Sequence, residues 1–234
     1  IVGRAREHEI PVLPRGGGTS HAGQTVNEAV VLDFSRYMDD ATIDPESETA
    51  TAEAGITLGK LNEAAAEHGL TFGPDPAWGD KSALGGAIGN NSTGAHSLVY
   101  GKTDYYVEEV EAVLADGTVT TFGEVAIETL REEGDATSDD IRERVYASVL
   151  KILEEERAEI DRRYPRLKRN VSGYNLDALL EDAQGTRPLA DGTGTDPDSE
   201  AGMINLARLL AGSEGTLAVV TEATVALEPE PETK

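Results

Sequence analysis

Apolar residues along the first seventy positions switch between helical and strand spacing. Val2 to His8 reads as the end of an amphipathic helix feeding a strand from Ile10 to Leu13, and Ala29 to Asp33 reads as a short buried strand. Ala50 to Ala54 alternates like another strand. From Thr57 to His68, Leu58, Leu61 and Ala65 fall at helical spacing, and Gly69 stands where glycine commonly ends a helix. Strand, helix and strand in this order predict a small α/β unit ending near residue 70.

Beyond Phe72-Gly73-Pro74-Asp75-Pro76 the texture changes. Leu84-Gly85-Gly86-Ala87-Ile88-Gly89-Asn90-Asn91-Ser92-Thr93-Gly94 is too glycine-dense for an ordinary stable helix. Val107 to Leu114 and Val119 to Phe122 read as strands joined by a hairpin turn at Asp116-Gly117. Ile141 to Ile160 is a charged amphipathic helix with Val145, Val149, Ile152 and Leu153 on one face. Glu181 to Glu200 is acidic and poor in large apolar side chains, which predicts a surface loop with a tendency to disorder. Ile204 to Leu210 reads as a short helix or the approach to a strand, and Leu217 to Ala226 as an apolar strand. The tail Glu228-Pro229-Glu230-Pro231-Glu232 is not expected to continue a sheet and reads as a linker. There is no internal repeat.

The 234 residues suit one large domain or two interlocked subdomains, and 38% hydrophobic content is enough for a core. The 44 acidic residues against 20 basic ones leave a formal charge of -24, so nucleic acid is excluded as a partner on electrostatic grounds. An acidic excess spread along the chain points to adaptation to high salt, with an ordinary acidic cytosolic protein as the alternative. The absence of cysteine removes disulfides, thiolate metal sites and a cysteine nucleophile, and no metal site is expected. No run has transmembrane length and the start carries no basic-then-apolar leader, which predicts a cytoplasmic location without membrane insertion. A beginning at Ile1 in mid-pattern suggests a piece of something longer.

Candidate chemistry sits in the glycines. Arg15-Gly16-Gly17-Gly18-Thr19-Ser20 follows the first apolar run, and such a turn can aim several amide groups and two hydroxyls at a phosphate; it can equally be only a turn. It is not a Walker loop, because Gly18 stands where the lysine belongs. Glycines at 85, 86 and 89 do not fit G-x-G-x-x-G, which disfavours a nicotinamide-binding sheet.

Taken in order, Pro14-Arg15-Gly16-Gly17-Gly18-Thr19-Ser20, Gly23-Gln24, Pro74-Asp75-Pro76, Gly85-Gly86-Ala87-Ile88-Gly89-Asn90-Asn91-Ser92, Tyr100-Gly101, Leu114-Ala115-Asp116-Gly117 and Gly212-Ser213-Glu214-Gly215-Thr216-Leu217 are specific. The whole chain resembles the PCMH-type FAD-binding domain of the vanillyl-alcohol oxidase superfamily, in the branch of D-lactate, glycolate and D-2-hydroxyglutarate dehydrogenases. This resemblance implies an α+β fold in two subdomains: a small parallel sheet with helices over 1–70, then a larger antiparallel sheet with helices over 71–234, carrying an acidic helical insertion at about 124–200. It also implies non-covalent FAD between them. Arg15, Gly16, Gly17, Gly18, Thr19 and Ser20 would form the pyrophosphate loop. Pro74, Gly85, Gly86, Gly89, Asn90, Asn91 and Ser92 would line pyrophosphate, ribose and part of the isoalloxazine, and Gln24 and Gly94 join the set. Glu214, Gly215, Val219 and Val220 would approach the adenine and ribityl side.

Some members of the superfamily that the chain resembles attach the flavin to a histidine following the glycines of the first loop, where this chain has Thr19. The resemblance further implies a small 2-hydroxy-acid substrate, with hydride passing to flavin N5. The catalytic base and the carboxylate-binding arginines would come from a C-terminal substrate domain not included here, with iron-sulphur domains in some members. No catalytic residue is assigned within the chain. Tyr174, Asn175 and Lys102 are candidates for the active-site wall or for packing, His96 for a place near the flavin, and His21 and His68 for structural roles. Trp78 either flanks the flavin or packs a turn, and packing is the expectation. A sugar or alcohol oxidase of the same superfamily and a non-catalytic nucleotide-binding module remain as alternatives.

Overall fold

The computed structural model describes residues 1–165, 167 and 170–231. The chain opens with helix α1 (Val2–Glu7), then strand β1 (Val12–Arg15), which pairs in parallel with β2 (Val30–Asp33), Val12 facing Val30. β3 (Ala41–Asp44) and β4 (Thr49–Glu53) form a hairpin. β4 alternates as the sequence predicts, with Ala50 and Ala52 buried. α2 (Leu58–Ala66) starts at Thr57, whose hydroxyl caps the Lys60 amide, and buries Leu58, Leu61 and Ala65. Gly69 follows with φ +71 before β5 (Leu70–Thr71).

The glycine-dense segment is a helix after all, α3 (Leu84–Asn90). Leu84, Ala87 and Ile88 are buried at i, i+3 and i+4, and Gly85 lets the helix lie against β4, since a Cβ there would sit 2.8 Å from Ala54 Cβ. Tertiary packing thus overrides a poor local propensity. After the single turn α4 (Ser97–Tyr100) come β6 (Val107–Val113) and β7 (Val119–Phe122), joined by the expected Asp116-Gly117 turn, where Asp116 Oδ1 accepts the Thr118 amide at 2.9 Å.

β8 (Glu124–Ala126) leads into α5 (Ile127–Glu133) and α6 (Ile141–Glu155). The predicted helix from 141 to 160 breaks at Glu156, whose ψ of 2° ends α6 and starts α7 (Arg157–Arg163). α8 (Leu176–Ala183) follows, and residues 184–202 form irregular surface structure. β9 (Met203–Asn205) pairs with β8 and closes this excursion at its neck, ahead of α9 (Ala207–Leu210).

β10 (Val219–Ala226) is the centre of a five-stranded antiparallel sheet in the order β3-β4-β10-β6-β7. This sheet takes β3 and β4 from before residue 70, so the expected subdomain boundary runs through it. The acidic Pro-rich tail also departs from expectation: β11 (Glu228–Pro229) pairs with β5, and the Glu230 amide donates to Gly69 O at 2.8 Å. Proline is tolerated there because the pair is two-stranded and all edge. Glu232 lies outside the described residues. One apolar cluster joins sheet and helices, with Phe72, Ile88, Val110, Leu130, Leu179, Ile204 and Val225 at its centre.

Candidate functional site

A cleft of about 440 Å³ runs along the loop after β1, the first turns of α3, the Pro76–Trp78 turn, the Ser213–Gly215 turn and the start of β10. Each glycine of the loop has its own reason. A Cβ on Gly16 would sit 2.8 Å from Ala83 Cβ, and one on Gly17 only 1.7 Å from Lys81 O. Gly18 adopts φ +68, with Arg15 Nη2 2.6 Å from where its Cβ would be. These three glycines are therefore dictated by close packing onto residues 81–83 and by the bend over Arg15. Thr19 Oγ1 meets Ser82 Oγ at 3.1 Å and fastens the same two segments.

Gly86 is different. In the first turn of α3, Leu84, Gly85 and Ala87 donate their amides to Ile56, Ala54 and Ala83 carbonyls at 2.8–2.9 Å. Between them Gly86 lines the cleft, and a Cβ there would meet no atom within 4 Å. It presents bare backbone to open space. Against the last turn of α3, Glu214, at φ +50, donates its amide to Gly89 O at 2.8 Å, and its carboxylate accepts from Gln24 Nε2 at 3.0 Å.

Arg15, Gly16, Gly17, Gly18, Thr19, Ser20, Gln24, Gly85, Gly86, Gly89, Asn90, Ser92, Glu214, Gly215 and Val220 all line this cleft. Pro74, Asn91, Gly94 and Val219 do not. Pro74 is buried, and Gly94 lies against the 75–76 turn, where a Cβ would fall 1.7 Å from Asp75 O. Asn91 closes α3 in the left-handed region at φ 47 and turns inward to accept the Asp104 amide at 3.0 Å. Val219 points to the other face of β10, as strand alternation requires, into a smaller groove with Val2 and Val12.

Several lining residues escaped the sequence reading: Phe34, Ala54, Ser82, Ala83, Ser213 and Ala218. Apart from Ser213, which stands inside the Gly212–Leu217 motif, nothing in their residue type signals a site. Trp78 departs from the packing expectation, for the residue is 54% exposed and lines the cleft. His21 lines the cleft too; His96 pairs with Asp75 at 3.5 Å outside it, and His68 is exposed beyond α2.

Lys102 and Asn175 belong to a buried ionic network. Asp104 Oδ2 accepts from Asn175 Nδ2 at 2.8 Å and Arg208 Nη2 at 3.2 Å, with Lys102 Nζ at 3.4 Å; Arg208 also bonds Asp182. Burial pushes Asp104 up, but Lys102 and Arg208 outweigh it and hold the carboxyl below its ordinary value. This network fastens α8 to α9 and to the segment before β6. Tyr174 is half exposed, its hydroxyl 3.0 Å from Thr216 Oγ1.

The profile of the FAD binding domain family matches residues 1–123. Over its full length the chain is 32% identical to a D-2-hydroxyglutarate dehydrogenase of Pantoea ananatis, of which it spans 21%. Across 97% of its length it is 31% identical to a D-lactate dehydrogenase of Archaeoglobus fulgidus, spanning 35% of that protein. Among solved structures, alkyldihydroxyacetonephosphate synthase superposes on 99% of the chain with a TM-score of 0.57 at 20% identity, a likeness of fold, and the match covers 32% of that chain. The chain thus corresponds to between a fifth and about a third of the proteins it matches. Among the described residues no helix is long and apolar enough to cross a membrane, and no cluster of His, Asp and Glu could hold a metal ion.

Proposed function

The chain belongs to the FAD-binding domain family, and on that premise we propose that it is the flavin-holding part of an FAD-linked dehydrogenase of D-2-hydroxy acids such as D-lactate, glycolate or D-2-hydroxyglutarate. The observation that carries this reading is the cleft itself. Its walls are glycine turns and short hydroxyl side chains, and the one site glycine with open space before it, Gly86, faces the cavity. A diphosphate bound within a protein of net charge -24 needs converging donors more than it needs cations. The Arg15 to Ser20 backbone, the hydroxyls of Ser20, Ser82 and Ser92, and the guanidinium of Arg15 supply them. Gly86 admits the ligand close to the main chain, while Ala218 and Val220 give an apolar wall beside Gly215.

When bound, FAD accepts the hydride from the substrate carbon. The base and the groups that grip the substrate carboxylate belong, on this reading, to other parts of the parent enzyme. Binding is non-covalent: Thr19 occupies the tethering position and its hydroxyl is engaged with Ser82. We also place the protein in the salt-rich cytoplasm of a salt-adapted organism, on the strength of its distributed acidity and of the carboxylates Glu53, Glu222 and Glu111, which face one another across the main sheet.

Reconstitution with FAD followed by gel filtration and a visible spectrum is the test. A yellow protein whose flavin is released by acid denaturation is expected. A preparation that stays colourless in excess FAD overturns the assignment, and colour that survives denaturation overturns the non-covalent part, with His21 the nearest imidazole to the cleft.

A further inference from the structure

We propose that Trp78 is the platform on which the flavin ring stacks; this rests on the FAD-binding reading above. Trp78 is the sole tryptophan, and over half of its surface is exposed at the cleft wall. Its backbone is nevertheless firmly held. The Trp78 carbonyl accepts the amides of Lys81 and Ser82 at 2.8 and 2.7 Å, and the Gly79 carbonyl accepts the Gly59 amide from α2 at 3.0 Å. A large ring kept wet on an anchored turn, beside a cavity, is a surface waiting for a flat partner. Lys81 Nζ lies 5.2 Å from the ring centroid and helps to set its orientation.

The position decides which ring. Ser82, four residues on, touches Thr19 of the phosphate loop, so the turn flanks the centre of the cleft on one side. Glu214, Gly215 and Val220 also line the cleft, and we give their side to the adenine. A dinucleotide held by its diphosphate sends one ring each way, and the ring directed to Trp78 is the isoalloxazine. An electron-rich indole against an electron-poor flavin is a favourable stack.

Equilibrium dialysis of the chain with FAD and, separately, with ADP tests the assignment in the parent, Trp78→Ala and Trp78→Phe. Trp78→Ala is expected to weaken FAD by about tenfold while leaving ADP unchanged, and Trp78→Phe to restore most of the loss. The visible band of bound flavin should also differ between parent and Trp78→Ala. Equal FAD affinity in parent and Trp78→Ala overturns the inference alone. Parallel losses for FAD and ADP place adenine on the indole and overturn the choice of ring. A parent that retains no FAD overturns the reading beneath, and the inference with it.

Discussion

At the scale of single residues, the site glycines divide by what their missing side chains would meet. Gly17 is fixed by Lys81 O and Gly16 by Ala83, so substituting either disturbs folding before it disturbs a ligand. Gly86 separates the two effects. Gly86→Val should leave the thermal midpoint within a few degrees of the parent, yet lower FAD affinity by at least about tenfold by filling the cleft. Unchanged affinity on dialysis would remove Gly86 from the binding surface.

Glu181 offers a second residue-scale test. Burial on α8 raises its carboxyl to about 7, with Arg208 opposing and Asp177 adding to the shift. The folded state therefore holds this proton more tightly than the unfolded chain, whose carboxyl titrates near 4.5, and stability falls as pH climbs between those values. Glu181→Gln should match the parent near pH 4, below both values, and melt higher at pH 8. A difference in melting temperature that does not grow with pH contradicts the assignment.

At the scale of elements, α3 shows where reading by propensity ends. Gly85→Ala tests the cause: helix propensity alone predicts a gain of about 1 kcal/mol. The approach of Ala54, 2.8 Å to Cβ and 3.0 Å to its carbonyl, predicts instead a loss of about 1–3 kcal/mol in chemical denaturation. A stabilised variant would mean that close packing is not what selects glycine there. The strands β4, β6, β7 and β10 and the helix α2 were legible because each has a clean period or a capping residue. α3 was not, since its stability comes from Leu84, Ala87 and Ile88 meeting partners far along the chain. The division at residue 70 followed local order, whereas the β3–β4 hairpin joins the main sheet through the pairing of β4 with β10, some 170 residues later in register. The site was legible as motifs in sequence order, but Asn91 and Val219 sit inside those motifs and still face away. Side-chain direction is set by a left-handed cap in one case and by strand parity in the other, and neither shows in composition.

At the scale of the whole molecule, the charge of -24 is structured as well as large. Glu222 on β10 stands opposite Glu53 of β4 on one side and Glu111 of β6 on the other, a row of three carboxylates across the middle of the main sheet. Like charges directly opposite on neighbouring strands repel, and here Thr221 Oγ1 and the Asp40 amide bond only the outer two, Glu111 and Glu53. The central carboxylate has the most to gain from screening. In dilute buffer, where the screening length is about 10 Å at 0.1 M salt, the row should destabilise the fold; in molar KCl, at about 3 Å, the repulsion is largely removed. The parent should therefore melt higher in molar KCl than in dilute buffer. Glu222→Gln should raise the melting temperature in dilute buffer and converge on the parent as KCl approaches 1 M. Salt adaptation resides in this row, as opposed to the diffuse surface charge, if the convergence is seen. A Glu222→Gln difference that is constant across the salt series, or a parent no more stable in molar KCl, removes the physical basis for reading the acidity as adaptation.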